Sequence, residues 1–262
     1  MKPTRRTIVA LAAAAVVILT AGAGTYAYAG GSGGPEATLE DAGAQEVDAD
    51  VAREQPKLPV PTAEHDCGDT GEYQEDLEGY LAELGGYGEV FVDGEQSKED
   101  CDAITAFQER FGISPAEGYA GDVTYRVAKR LVESDLDECD SGDGLTVCVD
   151  LTHQTLWVAD GDEVVFGPTV VRTGMAGYAT QPGTHEITNK AESEWSKPYK
   201  VWLPYWQHFY MGQGLHQTTT YIHDEWNGSH GCVNLLPDDA VELYEMLDVG
   251  DQLHIFGRRP GT

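Results

Sequence analysis

The apolar residues of this 262-residue chain change their period once, near Leu145. Before that point Tyr73, Leu77, Leu81 and Leu84 recur at helical spacing, and Gly85-Gly86 ends the run. Ile104, Phe107, Gln108 and Phe111 form a second helical face closed by Gly112, and Val123, Val127 and Leu131 suggest a third. After it, Leu145, Val147 and Val149 alternate with Thr146, Cys148 and Asp150. A helix repeats its facing about every 3.6 residues and a strand about every 2, so one segment cannot serve both. The pattern predicts a multidomain α+β chain: a small three-helix N-terminal module over 65–135, then a mainly β, sandwich-like domain over 145–258. Asp160-Gly161 between Thr155–Val158 and Val164–Phe166 is a hairpin signal. Thr169–Val171, His185–Thr188, Lys200–Leu203 and Leu253–Phe256 read as further strands. One helix interrupts them, with Pro237 near its start, Val241, Tyr244 and Leu247 inside, and Gly250 expected as its C-cap.

The N-terminus has the three-part layout of a secretory signal peptide over 1–29. Lys2, Arg5 and Arg6 precede an apolar run from Ile8 to Ala21, and Ala27-Tyr28-Ala29 offers small residues at a cleavage point. The Arg5-Arg6 pair hints at twin-arginine export, and an uncleaved membrane anchor is the alternative. Residues 30–64, with Gly30-Gly31-Ser32-Gly33-Gly34 and Pro56 to Pro61, have the composition of a disordered linker. Residues 136–144 read as a second, acidic linker, which predicts a helical module separable from catalysis. A secreted location follows. With 45 acidic residues against 16 basic ones the formal charge is −29, which sets the chain against nucleic-acid binding.

Five cysteines follow the leader, and an odd count in an oxidising compartment leaves one thiol over. Cys139 and Cys148 flank a polar turn, and Cys67 and Cys101 share the helical module. Pairing by proximity would leave Cys232 alone, although sequence does not fix connectivity. Cys232 lies in Ser229-His230-Gly231-Cys232-Val233-Asn234. A thiolate is a strong nucleophile, but at neutral pH an imidazole must take or stabilise the proton. His216, in Gly214-Leu215-His216, and His230 are the candidates. His230 and Cys232, two apart, would face one side of a strand. Gly231 permits a tight turn, and amides there could meet an oxyanion. The plain alternative is a buried, unpaired cysteine. His153, His185, His208 and His254 read as packing residues. Trp195, Trp202, Tyr205, Trp206 and Tyr210 either line a groove or simply pack.

Two resemblances bear on these residues. Gln74, Val92-Asp93-Gly94, Ala106-Phe107-Gln108, Gly112-Ile113, Gly118-Tyr119-Ala120-Gly121 and Thr124 resemble the peptidoglycan-binding-like helical domain. His216, Ser229, His230, Gly231, Cys232 and Asn234, with Arg172-Thr173-Gly174 and Gln181-Pro182-Gly183-Thr184 upstream, resemble the L,D-transpeptidase catalytic domain over about 145–258, of the secreted, actinobacterial type. That resemblance implies an acyltransferase that cross-links peptidoglycan through a thioester on Cys232. It implies His216 as general base and then acid, His230 orienting the thiol, Ser229 and Gly231 in the motif turn, backbone amides of 230–232 at the oxyanion, and Asn234 steadying the loop. It implies stem peptides as donor and acceptor, glycan strands as a further partner, carbapenem-type inhibitors, and no cofactor or metal. Two departures stand out: the His216–Ser229 loop is short, and Gln217 replaces a small hydroxyl residue. The short loop leaves His223 as a rival base. Competing classes are a zinc peptidase using His216, His223, His230 and Cys232, a papain-like cysteine peptidase, and a non-catalytic wall-binding protein. If the cysteines pair by proximity, thiol labelling of the folded protein followed by peptide mapping marks Cys232 alone. Label on Cys67, Cys101, Cys139 or Cys148 would contradict the pairing.

Overall fold

The computed structural model describes Cys67 and residues 69–262; the expected leader and the linker of residues 30–64 lie outside them. Three helices come first: α1 (Gln74–Leu84), α2 (Lys98–Arg110) and α3 (Asp122–Glu133). Leu77, Leu81, Ile104, Phe107, Phe111, Val127 and Leu131 meet in one core, as their helical spacing predicts. Ser97 starts α2 with a reciprocal cap: its hydroxyl accepts the Asp100 N–H at 3.1 Å, and the Asp100 carboxylate accepts the Ser97 N–H at 3.1 Å. Polar motif residues hold the loops. Buried Glu78 accepts the Asp93 and Gly94 amides at 3.0 and 2.9 Å. Gln108 accepts from Gly118 N–H at 2.9 Å and donates to Tyr119 O and Thr124 Oγ1, each at 3.0 Å. Cys67 is bridged to Cys101 and Cys139 to Cys148, leaving Cys232 the free cysteine among the described residues.

The remainder folds as two sheets and a helix. The strands are β1 (Leu145–Asp150), β2 (Thr155–Asp160), β3 (Glu163–Val170), β4 (Gly183–Glu186), β5 (Asn189–Ser196), β6 (Val201–Tyr210), β7 (Gln213–Gln217), β8 (Val233–Leu235) and β9 (Gln252–Phe256), with α4 (Pro237–Met246) between the last two. One sheet has the order β3-β2-β1-β9-β4 and the other β5-β6-β7-β8. Val147, Val149, Leu156 and Val158 of the first meet Phe209, Leu215, Val233 and Leu235 of the second, with Leu243 and Leu247 sealing the core.

Several expectations shift. Thr169 and Val170 end the long strand β3 rather than forming their own. The strand expected over His185–Thr188 pairs instead at Gly183–Glu186. Helix α4 is capped by Leu247, whose N–H bonds Leu243 O, and Gly250 falls beyond the cap in the following turn. The segment 136–144 has a tertiary role. Leu136 and Cys139 cover Trp157 and Phe256 on the outer face of the first sheet, and Asp140 N–H donates to His254 Nδ1 at 2.7 Å.

The helical module and the β domain share a core. Val170, Ile222 and Leu236 lie among the apolar residues of the helices. Arg130 of α3 is half-buried, and its guanidinium donates to His153 O, Gln154 O and Val171 O at 2.7, 2.6 and 3.3 Å. Burial lowers its pKa to about 10, so it stays charged. Arg110 pairs at 2.9 Å with Asp239, whose carboxylate also accepts from Thr169 Oγ1. Composition alone gave no sign of this joint. All five tryptophans lie in the β domain, so tryptophan fluorescence and helical circular dichroism should report one coincident denaturant transition. Leu236→Ala should lower both midpoints together, at a cost of about 2–5 kcal/mol. Two separated transitions would show independent domains.

Candidate active site

The site is built on a parallel pair. Strands β7 and β8 align Leu215 with Val233 and His216 with Asn234. Cys232 immediately precedes β8, beside Gly214, whose N–H points at its sulfur. A Cβ on Gly214 would meet Gln207 O and the Trp206 ring, each at 2.7 Å, so only glycine lets the backbone pass there. His230 and Cys232 are not on a strand. They flank Gly231, at φ +112°, in a bend where a Cβ would press on the Gln213 side chain.

Ser229 fixes that bend. Its hydroxyl donates to Cys232 O at 2.5 Å and accepts the Gly231 N–H at 3.0 Å. Its own N–H reaches Thr173 O at 3.1 Å. Thr180, unremarked in the sequence, accepts from Gly174 N–H and donates to Gly231 O, both at 2.9 Å. Gln213 ties the same loop to β7, accepting from Gln181 N–H at 3.0 Å and donating to Ala179 O at 3.3 Å.

His216 is buried, and its Nδ1 lies 2.6 Å from Gln217 O. A carbonyl can only accept, so Nδ1 carries the proton and Nε2 is left with its lone pair. Burial pushes the imidazole below its ordinary range, and the Arg172 charge adds to the shift. Burial pushes the Cys232 thiol up, partly countered by the Gly214 N–H. Trp206 packs on the His216 ring, with centroids 6.0 Å apart.

Both residues line a cavity of about 760 Å³, whose walls include Arg172, Trp195, Tyr199, Trp202, Trp206 and Asn234. Tyr205 and Tyr210 pack against the β core instead. Asn234 exchanges backbone hydrogen bonds with Arg172 at 2.9 and 3.1 Å, and its buried Oδ1 has no protein partner. Arg172 was legible only as part of a turn triplet; the signal was a basic residue inside an apolar run of a very acidic chain. His230 is exposed, its ring between Tyr178 and Tyr199 at 4.2 and 4.4 Å. It lines the same cavity as Cys232.

His223 points elsewhere. Its Nε2 donates to Phe111 O at 2.6 Å, and burial lowers its pKa to about 4. Among the described residues no group of three or more His, Cys, Asp or Glu could hold a metal ion, so the zinc arrangement of His216, His223, His230 and Cys232 does not assemble. His153 bonds Asp150, His185 packs on Phe209, His208 meets Thr188 and His254 accepts from Asp140, which matches their reading as packing residues.

The family model of the L,D-transpeptidase (YkuD) catalytic domain matches residues 145–255. The chain is similar to the crystal structure of an L,D-transpeptidase from Stackebrandtia nassauensis, with 64% identity and a TM-score of 0.74, covering 77% of this chain and 99% of that one. The chain belongs to the L,D-transpeptidase family. An L,D-transpeptidase from Mycobacterium smegmatis matches at 24% identity and a TM-score of 0.38, over 44% of this chain and 60% of that one. One from Enterococcus faecium matches at 26% and 0.39, over 44% and 50%. No curated protein sequence matches the chain. The protein is thus a cysteine-dependent acyltransferase by family.

The direction of the His216 shift gives the expectation that His216 is the base a testable pH dependence. A histidine held below about 6.5 stays neutral, and so able to take a proton, at pH values where a free imidazole is already charged. The acid limb of kcat/KM for Cys232 acylation should therefore fall below pH 6.5. A limb centred above that value would show that His216 does not act as the base.

Proposed function

We propose that this L,D-transpeptidase joins peptidoglycan stem peptides through a thioester on Cys232, with His216 as general base and acid. The observation that carries the reading is that His216, whose Nδ1 is held on Gln217 O so that Nε2 keeps its lone pair, lines the same cavity as Cys232. His216 Nε2 takes the thiol proton as sulfur attacks the donor carbonyl. The tetrahedral centre collapses, the carbon–nitrogen bond breaks, and His216 returns the proton to the departing amine. An acceptor amine then attacks the thioester, loses its proton to His216, and the sulfur leaves as thiolate to be reprotonated. Thiol and imidazole both start neutral, so proton transfer accompanies attack.

Because Ser229 Oγ accepts the Gly231 N–H, the developing oxyanion falls to the remaining amides of 230–232. Ser229 and Gly231 shape the bend, Asn234 steadies the start of β8 through Arg172, and His230 forms the cavity rim with its two tyrosines. The aromatic walls of Trp195, Tyr199 and Trp202 suit the stem peptides, with glycan strands running outward from them. The same thiol would take the acyl group of carbapenem-type inhibitors. The leader expected over 1–29 supports an exported, cell-wall setting for this activity, serving wall organisation and cell shape. No helix among the described residues is long and apolar enough to cross a membrane.

The test is incubation with a defined tetrapeptide donor and an amine acceptor, read by mass spectrometry. Cys232→Ala should abolish adduct and product. His216→Ala should slow acylation by about 10²–10⁴-fold while the protein stays folded. Wild-type protein that never gains mass at Cys232 would overturn the reading.

A further inference from the structure

The loop that joins the His216 strand to the Cys232 turn does not close on the β domain alone. Its middle enters the helical module. Ile222 lies in the helical core, and the next residue, His223, is buried with its Nε2–H on Phe111 O at 2.6 Å. Phe111 is the residue that closes α2, so this carbonyl is one of the helix-end acceptors that no later turn of the helix satisfies. The grip is specific enough to leave His223 Nδ1 buried without a partner. A leucine would fill the same space with no stranded nitrogen, so the donated N–H is what a histidine contributes there.

The loop is coupled to the reacting groups on both sides of that grip. Tyr221 O accepts from Arg172 Nη1 at 2.6 Å, and Arg172 lines the cavity and sits close enough to shift His216. Downstream, Glu225 pairs with Arg126 of α3 at 2.5 Å. Glu225 O and Asn227 O accept from Arg259 Nη2 at 3.0 and 2.7 Å, and Arg259 Nη1 donates to Thr173 O at 2.6 Å. That carbonyl also accepts the Ser229 N–H. Hydrogen bonds joined by short stretches of the loop backbone thus run from the end of α2 to the residue that fixes the Cys232 bend.

We propose that the helical module is part of the catalytic apparatus, and that His223 is a positioning residue that holds the Thr218–Gly228 loop, and through it the 229–232 bend, in reacting geometry. The proposal rests on the reading of Cys232 and His216 above. It assigns to the module a role in turnover of even a soluble peptide donor, with no glycan to bind.

Two variants of the full chain test it. His223→Leu keeps the volume and removes the donor; His223→Gln keeps an amide N–H at similar reach. With a soluble tetrapeptide donor, His223→Leu should lower kcat by about tenfold or more with a much smaller change in KM, as a misplaced catalytic bend predicts. His223→Gln should recover most of that loss. Equal kcat in His223→Leu and wild type would overturn the proposal, as would a loss that His223→Gln does not restore at equal thermal stability. If His223→Leu does not fold, reversal of the surface pair decides: Arg126→Glu should lower kcat and adding Glu225→Arg should restore it, and no effect of Arg126→Glu would count against the module's role. Mass gain at Cys232 separates the two layers. Wild type without an adduct fails the acyl-transfer reading and this proposal together; wild type and His223→Leu acylated at one rate fail the positioning role alone.

Discussion

The parallel pairing of β7 with β8 is the constraint on which the site depends. It sets His216 opposite Asn234 and leaves Cys232 one residue outside the ladder, against Gly214. Strand β8 has only three residues, and a one-residue slip would turn every side chain on it to the other face. The register is held from both sides. Leu215, Val233 and Leu235 are buried in the sandwich core, and Asn234 bridges outward to Arg172. Parallel neighbours also need a long connection rather than a tight hairpin. Here that connection is residues 218–232, so the topology that fixes His216 also obliges Cys232 to arrive at the end of a loop.

The electrostatics of the cavity run against those of the chain. The formal charge is −29, yet the wall beside His216 carries the buried Arg172. Burial raises the thiol and lowers the imidazole, so each is held in its neutral form. A neutral pair in a half-enclosed, aromatic-walled cavity avoids the desolvation of a resting thiolate–imidazolium ion pair. It places the demand for charge stabilisation in the transition state, where the backbone amides of the bend and the Arg172 field are already fixed by Ser229, Thr180 and Asn234.

Much of this was legible in the sequence wherever local pattern decides structure. The helices showed because their apolar faces repeat, and β1, β2 and β9 because every second residue, Val147 and Val149, Leu156 and Val158, Leu253 and Ile255, is apolar and turned to the core. Strand β5 did not show: Asn189–Ser196 is an edge strand with mostly exposed side chains, and its pairing to β6 leaves no apolar alternation to read. Residues 136–144 have a linker's composition, and only the Cys139–Cys148 bridge and the contact of Leu136 on the outer face of β2 reveal a cover. In the site, Cys232, His216 and Ser229 were carried by their motif. Thr180, Gln213 and Arg259 act through contacts between segments distant in sequence, and no spacing announces those. The seven-residue spacing of His216, His223 and His230 carried no information, because periodicity has meaning only inside a regular element and these three sit in a strand, a loop and a bend.

His223 shows which of two opposing effects wins at the joint between the modules. The C-terminal end of α2 carries partial negative charge, which by itself would favour a protonated imidazole by at most about 2 kcal/mol. Burial acts in the other direction, as do the charges of Arg130 and Arg172, and the net result is a pKa of about 4 rather than the ordinary 6.5. That net displacement corresponds to roughly 3 kcal/mol against the charged form. His223 is therefore neutral across the physiological range and serves as a donor to Phe111 O, with no role in moving protons at Cys232. The same end of α2 sends Arg110 to the buried Asp239 in the first turn of α4, which in turn accepts from Thr169 of β3. One helix terminus thus anchors the catalytic loop, the last helix and the end of a sheet strand. Disturbing the helical module at this point reaches three elements of the β domain at once, so its effect on the site follows from shared contacts rather than from proximity of two independently folded domains.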